Sequence, residues 1–354
     1  MMQLRKGVVI SVARPRPGLA RLKVRVGESV EPSFALSPVA DTIAEGDEVL
    51  LNVTAARLGL GSGEGHPVVA NLARPEAEPT GLRNEMKVRY TAAQVAAGAT
   101  RSVAPWTDAT LGGMPVVVAE LHSALAPVLG ALRAELGTRR DSCPVAYVMP
   151  DWCSLPMVLS DTVARARGLG WLSVTVTCGQ AFGGEIEAAS LPAGMLLARE
   201  FGARVAVVVG GPGHLGAAQP FGFSAAHQSD ALHAAAALGG RPVFAPRLSS
   251  ADPRDRHRGV SHHTRCILGR LLLTSVAIAA PGDIPGALLD DLRGLAGRTC
   301  STVEPVDVPN HEHECAAGGL ALRSMGRGPA DDPLYFAGAA AAGALAARLA
   351  TEGR

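Results

Sequence analysis

The chain has 354 residues with 33 basic and 32 acidic side chains, a net charge of +1, so no dedicated nucleic-acid surface is advertised. Apolar residues make up 47% and aromatics only 4%, so a core must be assembled from Ala, Val and Leu. That composition favours close-packed helices on a sheet over an aromatic-rich β-sandwich, and the length suffices for two domains.

The opening Met1-Met-Gln-Leu-Arg-Lys-Gly7 has no apolar h-region, which argues against a signal peptide. Apolar runs meet Gly, Pro or Arg before the roughly 18 residues that a membrane span needs. Six cysteines without CxxC spacing read as reduced thiols. The expectation is a soluble, cytoplasmic protein with no membrane partner, and homo-oligomers are compatible with it.

Residues 1–75 alternate with period two in Gly7-Val-Val-Ile-Ser-Val12, Ala20-Arg-Leu-Lys-Val-Arg-Val26 and Glu48-Val-Leu-Leu-Asn-Val53. Turn clusters separate them at Arg14–Gly18, Glu45–Asp47 and Gly59–Gly65, the last within a glycine-rich hairpin loop, Leu58–His66. Short antiparallel strands between turns predict a small N-terminal antiparallel β-barrel of the OB or SH3-like sort. Residues 76–113 form a linker leading into the second domain, with Ala73–Thr80 its Pro- and Glu-rich core and a short helix over Tyr90–Ala97.

From 114 to 354 the pattern becomes a repeat of apolar strand, polar loop and alanine-rich helix. Strands are expected at Pro115–Ala119, Val145–Met149, Leu172–Thr177, Val205–Val209, Pro242–Ala245, Ser275–Ala279 and Thr302–Val306. Helices are expected at Leu125–Leu136, Leu155–Arg167, Ala188–Phe201, Ala225–Leu238, Thr264–Leu273, Ala287–Leu295 and Leu334–Ala350. This is an α/β fold, a mostly parallel, doubly wound sheet with helices on both faces, since the strands are apolar without alternation.

Each conspicuous polar motif follows a predicted strand: Glu120-Leu-His122, Pro150–Ser154, Thr177–Glu187, Gly210–Gly216, Arg247–Thr264 and Asn310–Cys315. In a parallel sheet all strand carboxyl ends share one edge, so these segments should converge there on a ligand.

Gly211, Gly213 and Gly216, with His214, suit a loop whose backbone N–H groups approach an anion before a helix. Its spacing is neither GxGxxG nor a Walker A loop. Glu185 and Glu187 open another glycine-rich turn, Glu185 as a candidate acid or base and Glu187 more simply as a first-turn acid. Cys178 occupies the place of a nucleophile elbow, though its flanks are not GxSxG.

Eight of the ten histidines lie between His214 and His313. Arg254 and Arg256 offer guanidinium forks for phosphate or carboxylate, or salt bridges to neighbouring aspartates. His257 and His262 are candidate proton carriers oriented by Asp252, with Asp151 in reserve and Ser261 as a helix cap. His263, with His311 and His313 on one side of an extended chain, could hold a divalent metal. His227 and His233 fall on a helix and read as structural.

The strings Gly179–Glu187, Gly211–Gly216 and Arg247–Thr264 together resemble the bacterial Domain of Unknown Function 3866 family, as do Met114-Pro-Val-Val-Val118, Leu121-His-Ser123 and Met325-Gly-Arg327. The resemblance implies a shared fold and site and no particular reaction. Ser250 stands where the family pattern has a bulkier residue, and Ala217-Ala-Gln219 replaces a more hydroxylated run. The second departure removes a hydroxyl ligand after the glycine loop.

The residues alone point to an enzyme that hydrolyses, or transfers a group on, a small anionic metabolite. A metabolite-binding regulatory or assembly module without chemistry is the alternative.

Overall fold

A computed structural model describes residues 2–60, 65–76, 85–98, 105, 107–217, 219–308 and 310–352. The chain divides into two compact units, Met1–Ala96 and Ala97–Arg354. The middle of the Leu58–His66 loop and the end of the Ala73–Thr80 linker lie outside the described residues.

The first unit holds β1 (Leu4–Arg16), β2 (Leu19–Val26), β3 (Ser29–Leu36), α1 (Val39–Thr42), β4 (Glu48–Asn52), α2 (Thr54–Arg57) and β5 (His66–Asn71). These strands close in the order β1-β2-β3-β5-β4, with β3 and β5 parallel, a five-stranded barrel of the OB type. Alternation does the work: Val9, Ala20, Leu22, Val24, Val49 and Leu51 point inward to its core. Two further short strands, β6 (Glu85–Lys87) and β7 (Val95–Ala97), pair with each other. The helix expected over Tyr90–Ala97 is therefore a turn and a strand. Tyr90 has φ of 60°, outside the helical region, and the Thr91 hydroxyl donates back to the Val88 carbonyl to close the turn.

The second unit runs β8 (Pro115–Ala119), α3 (Leu125–Leu136), β9 (Val145–Met149), α4 (Asp161–Gly168), β10 (Val174–Cys178), β11 (Ile186–Ala188), α5 (Leu191–Glu200) and β12 (Val205–Val209). It continues through α6 (Gln228–Ala237), β13 (Arg241–Ala245), β14 (Leu248–Ser249), β15 (Gly259–Val260), α7 (His262–Cys266), β16 (Ala277–Pro281), α8 (Gly286–Ala296), β17 (Thr302–Val306), α9 (His311–Gly318) and α10 (Pro333–Thr351). Eight strands form one all-parallel sheet in the order β11-β10-β9-β12-β8-β13-β16-β17.

The central strands are buried on both faces, which is why β8 and β12 read as near-continuous valine runs. Val117, Tyr147 and Val207 pack on one side with α3 and α10, while Val116, Val148 and Val208 pack on the other with α5 and α6. The alanine content lets α10 lie close to α3: a Cβ on Gly343 would come within 2.1 Å of the Val128 carbonyl oxygen. By length and composition α10 could cross a membrane, but 72% of its apolar window is buried in this core.

Strand order fixes where the loops gather. The connection leaving β8 runs towards β9 on one side, and that leaving its neighbour β13 runs to β16 on the other. These neighbours therefore mark a topological switch point, where loops part and leave a crevice beyond the carboxyl ends.

Candidate functional site

Glu120 follows β8 directly at the switch point and is 4% exposed. Its Oε1 accepts from Arg247 Nη1 at 2.6 Å and pairs with His263 Nδ1 at 2.8 Å, so segments more than 120 residues apart meet on one carboxylate. Its Oε2 is buried with no hydrogen-bond partner among the described residues. Burial opposes the charged form, but the His263 hydrogen bond and the Arg247 charge outweigh it and lower the pKa to about 2. Glu120 is ionised at neutral pH.

Arg247 leaves β13 and also donates from Nη2 to Asp252 at 3.0 Å. Asp252 is fully buried and takes Arg254 as well, through Nε and Nη2 at 3.0 Å each. Burial again works against the charge, yet the bonds from Arg254 and the two guanidinium charges hold this carboxyl far below the ordinary range. Asp332 accepts from the Ser249 and Ser250 hydroxyls and from Arg327, pinning the same segment.

The short hairpin of β14 and β15 supports a tight group of imidazoles. Ser261 caps α7 through its bond from His263 N, and its hydroxyl also meets His257 Nδ1 at 2.8 Å. The rings of His257, His262 and His263 lie 4.2–4.8 Å apart between centroids. Each offers a donor atom within 4.8 Å of the other two. Phe223 stacks on His263 at 3.9 Å. Burial, then the charges of Arg247 and Arg254, pushes His257 down to about 3; burial and the neighbouring His263 push His262 down to about 4. Both are neutral imidazoles at pH 7. The α7 helix runs on into a π-helical turn at Ile267–Leu271, a local irregularity often found beside functional groups.

The other side of the crevice comes from the loops after β8, β9 and β12. His122 bonds the Gly210 carbonyl through Nδ1 at 3.1 Å and Ser160 Oγ through Nε2 at 2.7 Å, and burial lowers its pKa to about 4. Cys153 Sγ stands 3.6 and 3.7 Å from the two ring nitrogens of His214. A sulfur equidistant from both nitrogens is not aligned with either lone pair, and burial pushes the thiol up to about 12. It is a protonated thiol and not a Cys–His ion pair. Burial also lowers the His214 pKa, against the pull of Glu120.

Several expectations change. Asp252 spends its oxygens on arginines, so the residue that orients an imidazole is Glu120 on His263, and Ser261 on His257. Glu185 accepts from Thr175 N at 2.9 Å and Thr175 Oγ1 at 3.1 Å and pairs with Arg167, closing the turn into the edge strand β11. Its β10 anchor is four strands from β13, about 19 Å at the usual spacing. Glu187 likewise accepts from Gly183 N at 2.7 Å and precedes α5 instead of opening it. Asp151 accepts from Gln180 N, and Cys178 is buried in the core.

His311 and His313 begin the helix α9 and do not lie on an extended chain. Two residues turn a helix by about 200°. Accordingly His311 is buried and His313 exposed, and the histidines gathered with His263 are His257 and His262.

In the glycine loop only Gly213 has positive φ, at 89°, and α6 starts well beyond it after a 3-10 turn at Ser224–His227. Gly210 is required by close approach, because a Cβ there would fall 2.4 Å from Trp152 Nε1 and 2.8 Å from Cys153 Sγ. Gly211 faces Ser154 in the same way, while Gly216 pairs with Phe223. Arg254 and Arg256 are on the exposed rim, and the Arg256 charge is felt at His262. His227 bonds Asp230 at 2.8 Å, and His233 accepts from the Leu273 amide at 3.0 Å.

Glu120, Arg247 and Cys153 are read from the sequence only as members of polar motifs, with no role of their own. The available signal was position: each follows a β-strand directly or within four residues.

These features define a doubly wound parallel α/β protein with a buried histidine, carboxylate and arginine cluster at its switch point. Within that class the chain belongs to the family of proteins of unknown function DUF3866, whose sequence profile matches residues 33–343. No curated protein matches the sequence.

Proposed function

We propose that this chain is a cytoplasmic enzyme acting by hydrolysis or group transfer on a small metabolite that carries a phosphate or carboxylate. One observation carries the reading. Glu120, His122, Cys153, His214, Arg247 and His263 come from the loops after four different strands and from α7, and they meet at the switch point. Burying ionisable groups costs several kcal/mol each, and an apolar core of similar volume would stabilise the fold as well or better. Such a cluster is accounted for by chemistry performed there.

In this reading Arg254 and Arg256 take the anionic group at the rim, where their guanidinium forks are exposed. His214, half-buried between Cys153 and Ser224, carries protons as a neutral base. Cysteines scattered without CxxC spacing are consistent with a reducing compartment.

The test is a thermal-shift screen of phosphorylated and carboxylate metabolites, followed by turnover of any compound that stabilises the protein. Removing both rim arginines, Arg254→Ala with Arg256→Ala, should abolish the stabilisation. His214→Ala should leave ligand binding and remove turnover. A ligand that stabilises the wild type but is never converted would make the crevice a sensor.

A further inference from the structure

Beyond that activity, we infer that His257, His262 and His263 bind one divalent transition-metal ion, with Glu120 as the carboxylate that orients the site. The site would be a metal centre whether or not the crevice converts a metabolite. Nitrogens around one tetrahedral ion at about 2.0–2.1 Å stand about 3.3 Å from one another. The three donors already lie within 4.8 Å of one another, so modest side-chain rotation closes the set.

Two of the rings are held in the manner of metal ligands. Nδ1 of His257 is committed to Ser261 Oγ and Nδ1 of His263 to Glu120 Oε1, each at 2.8 Å, which leaves Nε2 of both for an ion. An imidazole anchored to a carboxylate through its other nitrogen is the usual second shell of such centres.

Two buried atoms in the cluster are orphaned: His262 Nε2 and Glu120 Oε2 have no hydrogen-bond partner among the described residues. Each unsatisfied group of this kind costs about 1–3 kcal/mol. Plain stacking of imidazoles leaves both costs standing. A cation ligated through His262 Nε2 would remove the first.

The support is rigid, since the hairpin of β14 and β15 ties Ser261 N to the Arg247 carbonyl at 3.0 Å. Three histidines leave a fourth position for water or for an anionic group of the metabolite, the pattern of catalytic zinc and not of closed structural zinc. Nitrogen donors without thiolate suit zinc, cobalt, nickel or copper over magnesium or calcium.

The experiment uses the full chain, stripped with a chelator and titrated with Co(II), read by visible absorption, by metal content and by X-ray absorption. One Co(II) per chain with imidazole nitrogens and no sulfur is expected. His262→Ala should weaken binding at least about 100-fold, and Glu120→Gln by about 10–100-fold with the stoichiometry kept. His227→Ala and His313→Ala should bind as the wild type does.

His257→Ala empties a buried position, so His262→Ala and Glu120→Gln carry the test, with circular dichroism of the metal-free variants reporting their fold. Absence of stoichiometric binding by the wild type overturns the assignment, as does binding that survives His262→Ala. Sulfur in the shell would move the ion to Cys153 and overturn it equally. Metal bound at these histidines without turnover of any metabolite would defeat the enzyme and leave this inference standing.

Discussion

The two edges of the parallel sheet make a sharp contrast. The amino edge is hollow: cavities of about 210, 440 and 450 Å³ open there beside Trp171, Arg204 and Arg241. Its charges are ordinary, with Arg133 over the Trp171 ring at 4.6 Å and Arg241 on Glu352 at 3.3 Å near solvent. The carboxyl edge holds buried Glu120, Arg247, Asp252 and His257 in mutual contact or close range. These cavities open at one end of the sheet, while the buried ionisable groups gather at the other.

The largest expected effect comes from breaking the buried charges. Arg247→Met would take from Glu120 and Asp252 the buried cation they share, leaving them His263 and Arg254, and should cost about 3–5 kcal/mol in urea unfolding. Arg241→Ala at the amino edge should cost less than about 1 kcal/mol, as exposed pairs do. Equal losses would erase the contrast.

Acid should act next. The folded-state pKa of His122 is depressed from 6.5 to about 4 by burial, so the folded state binds fewer protons than the unfolded one. The stability it supports is complete above pH 6.5 and falls by up to about 3 kcal/mol as pH drops towards 4. Unfolding measured across that range should be flatter for His122→Gln. An identical slope in wild type and variant would remove His122 from the account.

Between the two edges, Gly343→Ala forces α10 away from Val128 and should cost about 1–3 kcal/mol with the site chemistry intact. The smallest effect is expected from Arg133→Ala, about 0.5–1 kcal/mol, the worth of a cation over a ring, since its pairing with Glu314 is long at 3.6 Å. A larger loss there would give the amino edge a structural weight that its geometry does not suggest.

Much of the fold is written locally. β8, β9 and β12 begin and end where the apolar runs do, and α3 spans the same residues as its leucine and alanine pattern. What escaped has little local signal. β11, β14 and β15 are two or three residues long and exist only by pairing, and α9 opens with His-Glu-His-Glu, which shows no apolar stripe. The polar stretch Arg247–Thr264 was legible as a site, whereas the roles inside it were not. Asp252 and Arg254 satisfy each other, and Glu185 serves an edge strand.

The sequence by itself determined the two-part architecture and the identity of the strands and main helices, because periodicity and turn chemistry act over a few residues. Only the tertiary structure decided which polar groups meet. Glu120 and His263 are 143 positions apart, and they touch because strand order sets β13 beside β8. That order is chosen by how two buried faces pack, a property of the whole sheet that no short segment carries.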